Sequence, residues 1–114
     1  MPYIDFSTNK TLLPGQAELL KAKLASLLAD AFPGKTENWL MVKIADGSAR
    51  YFAGSPEDCV MVDIAIFGRQ PKAAYQKMTA AVCALVEAEC GVPASRTYVK
   101  YTEHEEWGWN GSNF

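Results

Sequence analysis

Apolar residues recur at helical spacing in two stretches of this chain and at strand-like spacing in four others. Ala17, Leu20, Leu24, Leu27, Leu28 and Ala31 fall at steps of three and four in the first helical stretch. Tyr75, Met78, Val82 and Leu85 do the same in the second, so each reads as an amphipathic helix of about five turns. Pro14 and Pro71 open these stretches, and Gly34 and Gly91 close them, with a spacing of 57 residues in both pairs. Proline suits a helix start, where its missing N–H costs nothing, and glycine suits the left-handed cap just past the end. Strands are expected at Tyr3 to Phe6 and Trp39 to Ala45 around the first helix, and at Cys59 to Phe67 and Thr97 to Thr102 around the second. A short extra strand is expected at Arg50 to Phe52, after the Asp46-Gly47 turn.

The order is β-α-β twice over, with pseudo-repeat halves 1–57 and 58–114 of a single domain. Right-handed crossovers make each strand pair parallel and place both helices on one face of a four-stranded mixed sheet. The fold class is therefore α/β, or α+β where mixed sheets are so counted. In Cys59 to Phe67 the even positions Val60, Val62, Ile64 and Ile66 are apolar, and most odd positions are apolar too. A strand apolar on both sides belongs to a sheet covered on both sides, and the chain supplies no third helix. Other copies of the chain are expected to cover the second face.

Composition narrows the classes. With 114 residues, 49% hydrophobic and 21% charged, the chain is neither disordered nor of low complexity. A net charge of -2 argues against nucleic acid or an anionic membrane as partner. No secretory signal and no membrane span are read from the sequence, and a cytoplasmic location is expected. Cys59, Cys83 and Cys90 show no CxxC and no zinc-finger spacing, so neither a disulfide framework nor a metal site is expected, and no cofactor is implied. They read as small buried hydrophobes.

A few residues could carry chemistry. Pro2 reads either as a strand-starting residue with no donor to lose or, once Met1 is trimmed, as a free secondary amine. An α-amino group titrates near 7.7 to 8.0, and burial or a nearby cation lowers that value towards neutrality, which suits a general base. Lys35 reads as a solvated cation near a helix end. Lys100, between Val99 and Tyr101, reads as an edge-strand lysine or as a cation lining a cleft. Tyr98 and Tyr101 read as core residues with a hydroxyl at the rim. His104 lies in an acidic run with no Cys or Ser partner. The tail from Trp107 to Phe114 carries three large rings, so docking against a neighbouring copy or over a pocket is expected.

The start Met1-Pro2, Ser7-Thr8-Asn9, Gly34-Lys35, Gly54-Ser55 with Cys59, Phe67-Gly68, Arg96-Thr97-Tyr98 and the ending Gly108 to Phe114 together resemble the macrophage migration inhibitory factor family of tautomerases. The resemblance runs from end to end. It implies a homotrimer with the sheets around a central channel and an active site between subunits. There Pro2 acts as the base in keto-enol tautomerisation of phenylpyruvate-like 2-oxo acids and dopachrome analogues. Lys35 holds the substrate carboxylate, the backbone of Phe67 and the side chain of Tyr98 from a neighbouring chain complete the pocket, and Tyr3, Trp107, Trp109 and Phe114 supply its walls. Lys100 stands where vertebrate members carry Asn, which implies a second cation near Pro2, a lower amine pKa and a preference for more acidic or dianionic substrates. Cys59-Val60-Met61-Val62 lacks the second thiol of the family's redox motif, so thiol–disulfide activity is not expected. The family also includes cytokine-like proteins exported without a signal peptide. A receptor-binding role with incidental catalysis, or a small ligand-sensing module, are the other readings.

Overall fold

Most of the predicted elements form, and the departures have local causes. In the computed structural model, which describes residues 1–114, strand β1 (Pro2–Thr8) leads to helix α1 (Gln16–Ala31) and strand β2 (Met41–Ala45). Strand β3 (Val60–Phe67), helix α2 (Lys72–Cys90) and strand β4 (Thr97–His104) repeat that order, and a hairpin of β5 (Gly108–Trp109) and β6 (Ser112–Asn113) ends the chain. The sheet order is β2-β1-β3-β4. Each β-α-β unit has a parallel pair, β1 with β2 and β3 with β4, and the two units join antiparallel through β1 and β3.

The helix-side face of the sheet is a closed core. Val60, Val62, Ile64 and Ile66 of β3 and Ile4 and Phe6 of β1 are buried against Leu20, Leu24 and Leu28 of α1 and Met78, Val82 and Val86 of α2. Each such side chain contributes about 1.5–3 kcal/mol relative to exposure. The one fully buried hydroxyl, Thr8 Oγ1, donates to the Cys59 carbonyl at 2.8 Å. The odd positions of β3 face the other way. Met61, Asp63, Ala65 and Phe67 are only half-buried, so the chain leaves that face partly open.

Three expectations need correction. The first helix does not reach Gly34. Phe32 precedes Pro33, whose ring disfavours helical backbone in the residue before it, and Phe32 turns out to φ -121° and ψ 85°. Trp39 does not begin a strand but ends a short 3-10 turn, Glu37–Trp39, and β2 starts at Met41. Arg50 to Phe52 form no strand: the region has only an isolated bridge between Phe52 and Ser55, and the Gly47 N–H donates to the Lys10 carbonyl. The Arg50 guanidinium instead reaches the carbonyl and hydroxyl of Ser7 at 2.9 and 2.6 Å.

Candidate active site

The early end of α1 brings Lys35 to the sheet. Past Pro33 the chain turns through Gly34, at φ +89°, a conformation that glycine adopts without strain. Lys35 is thereby folded back over the end of β3, and its Nζ donates to the Phe67 carbonyl at 2.9 Å. An ammonium has three donors, so two remain free for an anion. The Phe67 N–H, on the other side of the same residue, donates to the Met1 carbonyl at 3.0 Å. Phe67 thus ties the lysine and the chain start to one point.

Pro2 begins β1 and is buried. Its missing N–H leaves no gap, since the first residue of a strand tolerates proline. The Met1 amine beside it is pushed below its ordinary value of 8.0, first by burial and then by the Lys35 cation. Both effects disfavour the ammonium form.

A cavity of about 550 Å³ opens at this corner, with Met1, Pro2 and Tyr3 on one side and Trp39, Trp107 and Trp109 on the other. The β5–β6 hairpin builds the second wall. Its turn, Asn110-Gly111, has φ of 52° and 87°, the mirror-image turn that matches strand twist. The hairpin holds Trp109 edge-on to Trp39 at 5.1 Å between ring centroids. Phe114 stacks behind Trp109 at 6.2 Å and meets Phe67 at 5.8 Å. The aromatic tail is therefore docked over a pocket within its own chain. Trp39 and Met41 belong to this wall and were not read from the sequence as site residues. Their signal was the exposed apolar run Trp39-Leu40-Met41 at a strand start.

The structure brings Pro2, Lys35 and Phe67 together, but not Tyr98 and Lys100. Pro2 pairs with Ile66 on β3, whereas Tyr98 pairs with Met61 and Lys100 with Asp63. Ile66 and Met61 are five positions apart on β3, roughly 17 Å at about 3.3 Å per residue. Tyr98 lies at the opposite end of the sheet, 62% exposed on the open face. There it borders a smaller cavity of about 240 Å³ with Phe52 and Met61. Tyr101, by contrast, packs on the helix side, with its hydroxyl 2.8 Å from that of Thr79 and donating to the Tyr75 carbonyl at 3.1 Å.

The open face carries one charged row. Lys43 on β2, Asp5 on β1, Asp63 on β3 and Lys100 on β4 are successive ladder partners. Two carboxylates sit side by side at its centre, a repulsive arrangement that a lysine on each flank offsets. Lys100 Nζ lies 3.3 Å from Asp63 Oδ2. No group of three His, Cys, Asp or Glu side chains converges anywhere in the chain, and no helix is long and apolar enough to cross a membrane.

The family model described as macrophage migration inhibitory factor matches residues 1–114. Among solved structures, Leishmania major MIF2 is similar at 29% identity and a TM-score of 0.91, covering 100% of this chain and 97% of that one. A macrophage migration inhibitory factor of Toxoplasma gondii is similar at 25% identity and a TM-score of 0.88, with 98% and 99% covered. The homologue from Prochlorococcus marinus is similar at 28% identity and a TM-score of 0.80, with 98% of each chain covered. No curated protein matches in sequence.

Proposed function

Since the chain belongs to the macrophage migration inhibitory factor family, within the tautomerase superfamily, we propose that it is a keto-enol tautomerase for phenylpyruvate-like 2-oxo acids and dopachrome analogues. The observation that carries this reading is the convergence of a buried Pro2, a cation and an apolar aromatic cavity at one corner. After removal of Met1, Pro2 presents a secondary amine close to where burial and then Lys35 lower the Met1 amine, and the same two effects favour its neutral, basic form. Its lone pair takes a proton from the carbon beside the substrate carbonyl, the C–H electron pair moves into the enolate, and the protonated amine returns the proton to the enolate oxygen to give the enol; the reverse direction runs the same transfers backwards.

Lys35 binds the substrate carboxylate with the donors that Phe67 leaves free. Loss of Met1 also frees the Phe67 N–H, and the Met1 carbonyl bonded to it marks where a substrate oxygen is accepted. Tyr3 and the tryptophans of the cavity wall hold the aromatic side chain. Tyr98 and Lys100 are too far along the sheet to serve their own Pro2, so they serve the pocket of a neighbouring copy. Proteins of the family typically form homo-oligomers, and the proposed assembly is a homotrimer with the open sheet faces inward.

The test is enol-keto turnover of phenylpyruvate by protein whose intact mass shows loss of Met1. Pro2→Gly abolishes turnover, whereas Lys77→Ala, on the solvent side of α2, leaves it unchanged. Full activity in Pro2→Gly overturns the reading. A receptor-binding signal that survives this substitution, without turnover of any 2-oxo acid, favours the cytokine-like alternative.

A further inference from the structure

The end of the sheet that carries Tyr98 is organised by one side chain. Residues 50–59 form neither helix nor strand, and apart from the tight turn closed by Phe52 and Ser55 they make no regular backbone pairing. Four of their carbonyls converge on the guanidinium of Arg96. Nε donates to Asp58 at 2.9 Å, Nη1 to Phe52 at 3.2 Å, and Nη2 to Ser55 at 3.2 Å and Glu57 at 2.9 Å. A planar fork of five donors can collect such a set, and a lysine cannot. The same guanidinium lies 5.2 Å over the Phe52 ring, and that ring meets the Tyr98 ring edge-on at 4.8 Å.

Asn9 anchors the loop from the other side. Its Nδ2 donates to the carbonyls of Pro56 and Glu57 at 3.0 and 3.1 Å, and its Oδ1 accepts from the Cys59 N–H at 2.9 Å. The loop backbone therefore has two anchors, and the half-buried Phe52 ring lies between the Arg96 guanidinium and the Tyr98 ring. An exposed tyrosine ring otherwise samples several rotamers, and ordering it on binding costs affinity.

We propose that Arg96 is a positioning residue for the tautomerase site: it fixes Phe52, and Phe52 pre-orients the Tyr98 ring that completes the neighbouring copy's pocket. This rests on the reading of Tyr98 as a substrate-binding residue. Arg96 touches no substrate. It acts through an aromatic relay of two rings, across the boundary between copies.

The experiment measures kcat, KM and the pH profile for phenylpyruvate with the processed protein, alongside its oligomeric mass, in Tyr98→Leu, Phe52→Leu, Phe52→Tyr and Arg96→Lys. Tyr98→Leu is expected to raise KM. Phe52→Leu keeps the loop carbonyls on Arg96 but removes the ring edge, and it is expected to raise KM roughly 2- to 12-fold, the worth of one edge-to-face contact. Its kcat and the acid limb of its pH profile stay unchanged, because the amine is untouched. Phe52→Tyr, which keeps the ring edge, brings KM back towards the starting value. Arg96→Lys, which keeps the charge but not the fork, raises KM at least as much as Phe52→Leu. Phe52→Leu adds nothing on top of Tyr98→Leu. A raised KM in Tyr98→Leu with an unaltered KM in Phe52→Leu or Arg96→Lys overturns the positioning role alone. An unaltered KM in Tyr98→Leu overturns the reading of Tyr98 and this proposal with it.

Discussion

The two faces of the sheet are built from the same strands and solve opposite problems. On the helix side, β1 and β3 present only aliphatic and aromatic groups and one satisfied threonine, and two helices close over them. On the other side the same strands present Tyr3, Asp5, Met61, Asp63 and Ala65, all only half-buried. The first face is finished by the chain itself. The second carries a charged row between two apolar ends, one at the Pro2 cavity and one at Tyr98. The difference teaches that fold and site have separate determinants: the core needs one chain, and the proposed site needs two.

The largest expected effect comes from the closed face. Ile64→Ala leaves a cavity in a fully buried position and is expected to cost about 2–5 kcal/mol in urea denaturation. Its counterpart on the open face, Met61→Arg, is expected to leave the far-UV circular dichroism intact while the mass measured by sedimentation falls and turnover falls with it. Stability loss of similar size in both, with no change of mass in the second, breaks the distinction between the faces.

Lys35→Ala probes the Pro2 end. Losing a charge-assisted contact to the substrate carboxylate is expected to raise KM about 10- to 100-fold. Removing the cation also lets the amine hold its proton to higher pH, so the acid limb of the kcat/KM profile moves up. A limb that stays put excludes Lys35 as a cause of the lowered amine. Lys100→Asn is the smallest of the set. Its charge is already compensated by Asp63 at 3.3 Å in a largely solvated pair, so its acid limb moves in the same direction by less. An unchanged profile removes Lys100 from the surroundings of Pro2.

Much of the architecture was legible because proline and glycine bracket the two helices and because β3 alternates without a break. What escaped the sequence was set by single neighbours. Pro33 shortened α1, and no helical period shows that. Glu37-Asn38-Trp39 closed a 3-10 turn where strand-forming residues suggested pairing. Arg50 spent its guanidinium on Ser7 instead of entering a ladder, which left residues 50–59 to Arg96 and Asn9. Pro2 and Lys35 could be singled out from residue chemistry, but their meeting at Phe67 depends on the turn after α1. The distance of Tyr98 and Lys100 from Pro2 depends on the antiparallel register of β1 and β3, a pairing between the repeats that neither repeat encodes locally.

The bond from the Phe67 N–H to the Met1 carbonyl also bears on when the chain start can be processed. An aminopeptidase needs a loose, extended terminus, and β1 is an interior strand zipped between β2 and β3 right up to Pro2. Once β3 has paired, reaching the Met1–Pro2 bond requires the chain start to lift away from Phe67 and Ile66 at that end of β1. For the proposed base, trimming is therefore easiest before β3 pairs with β1.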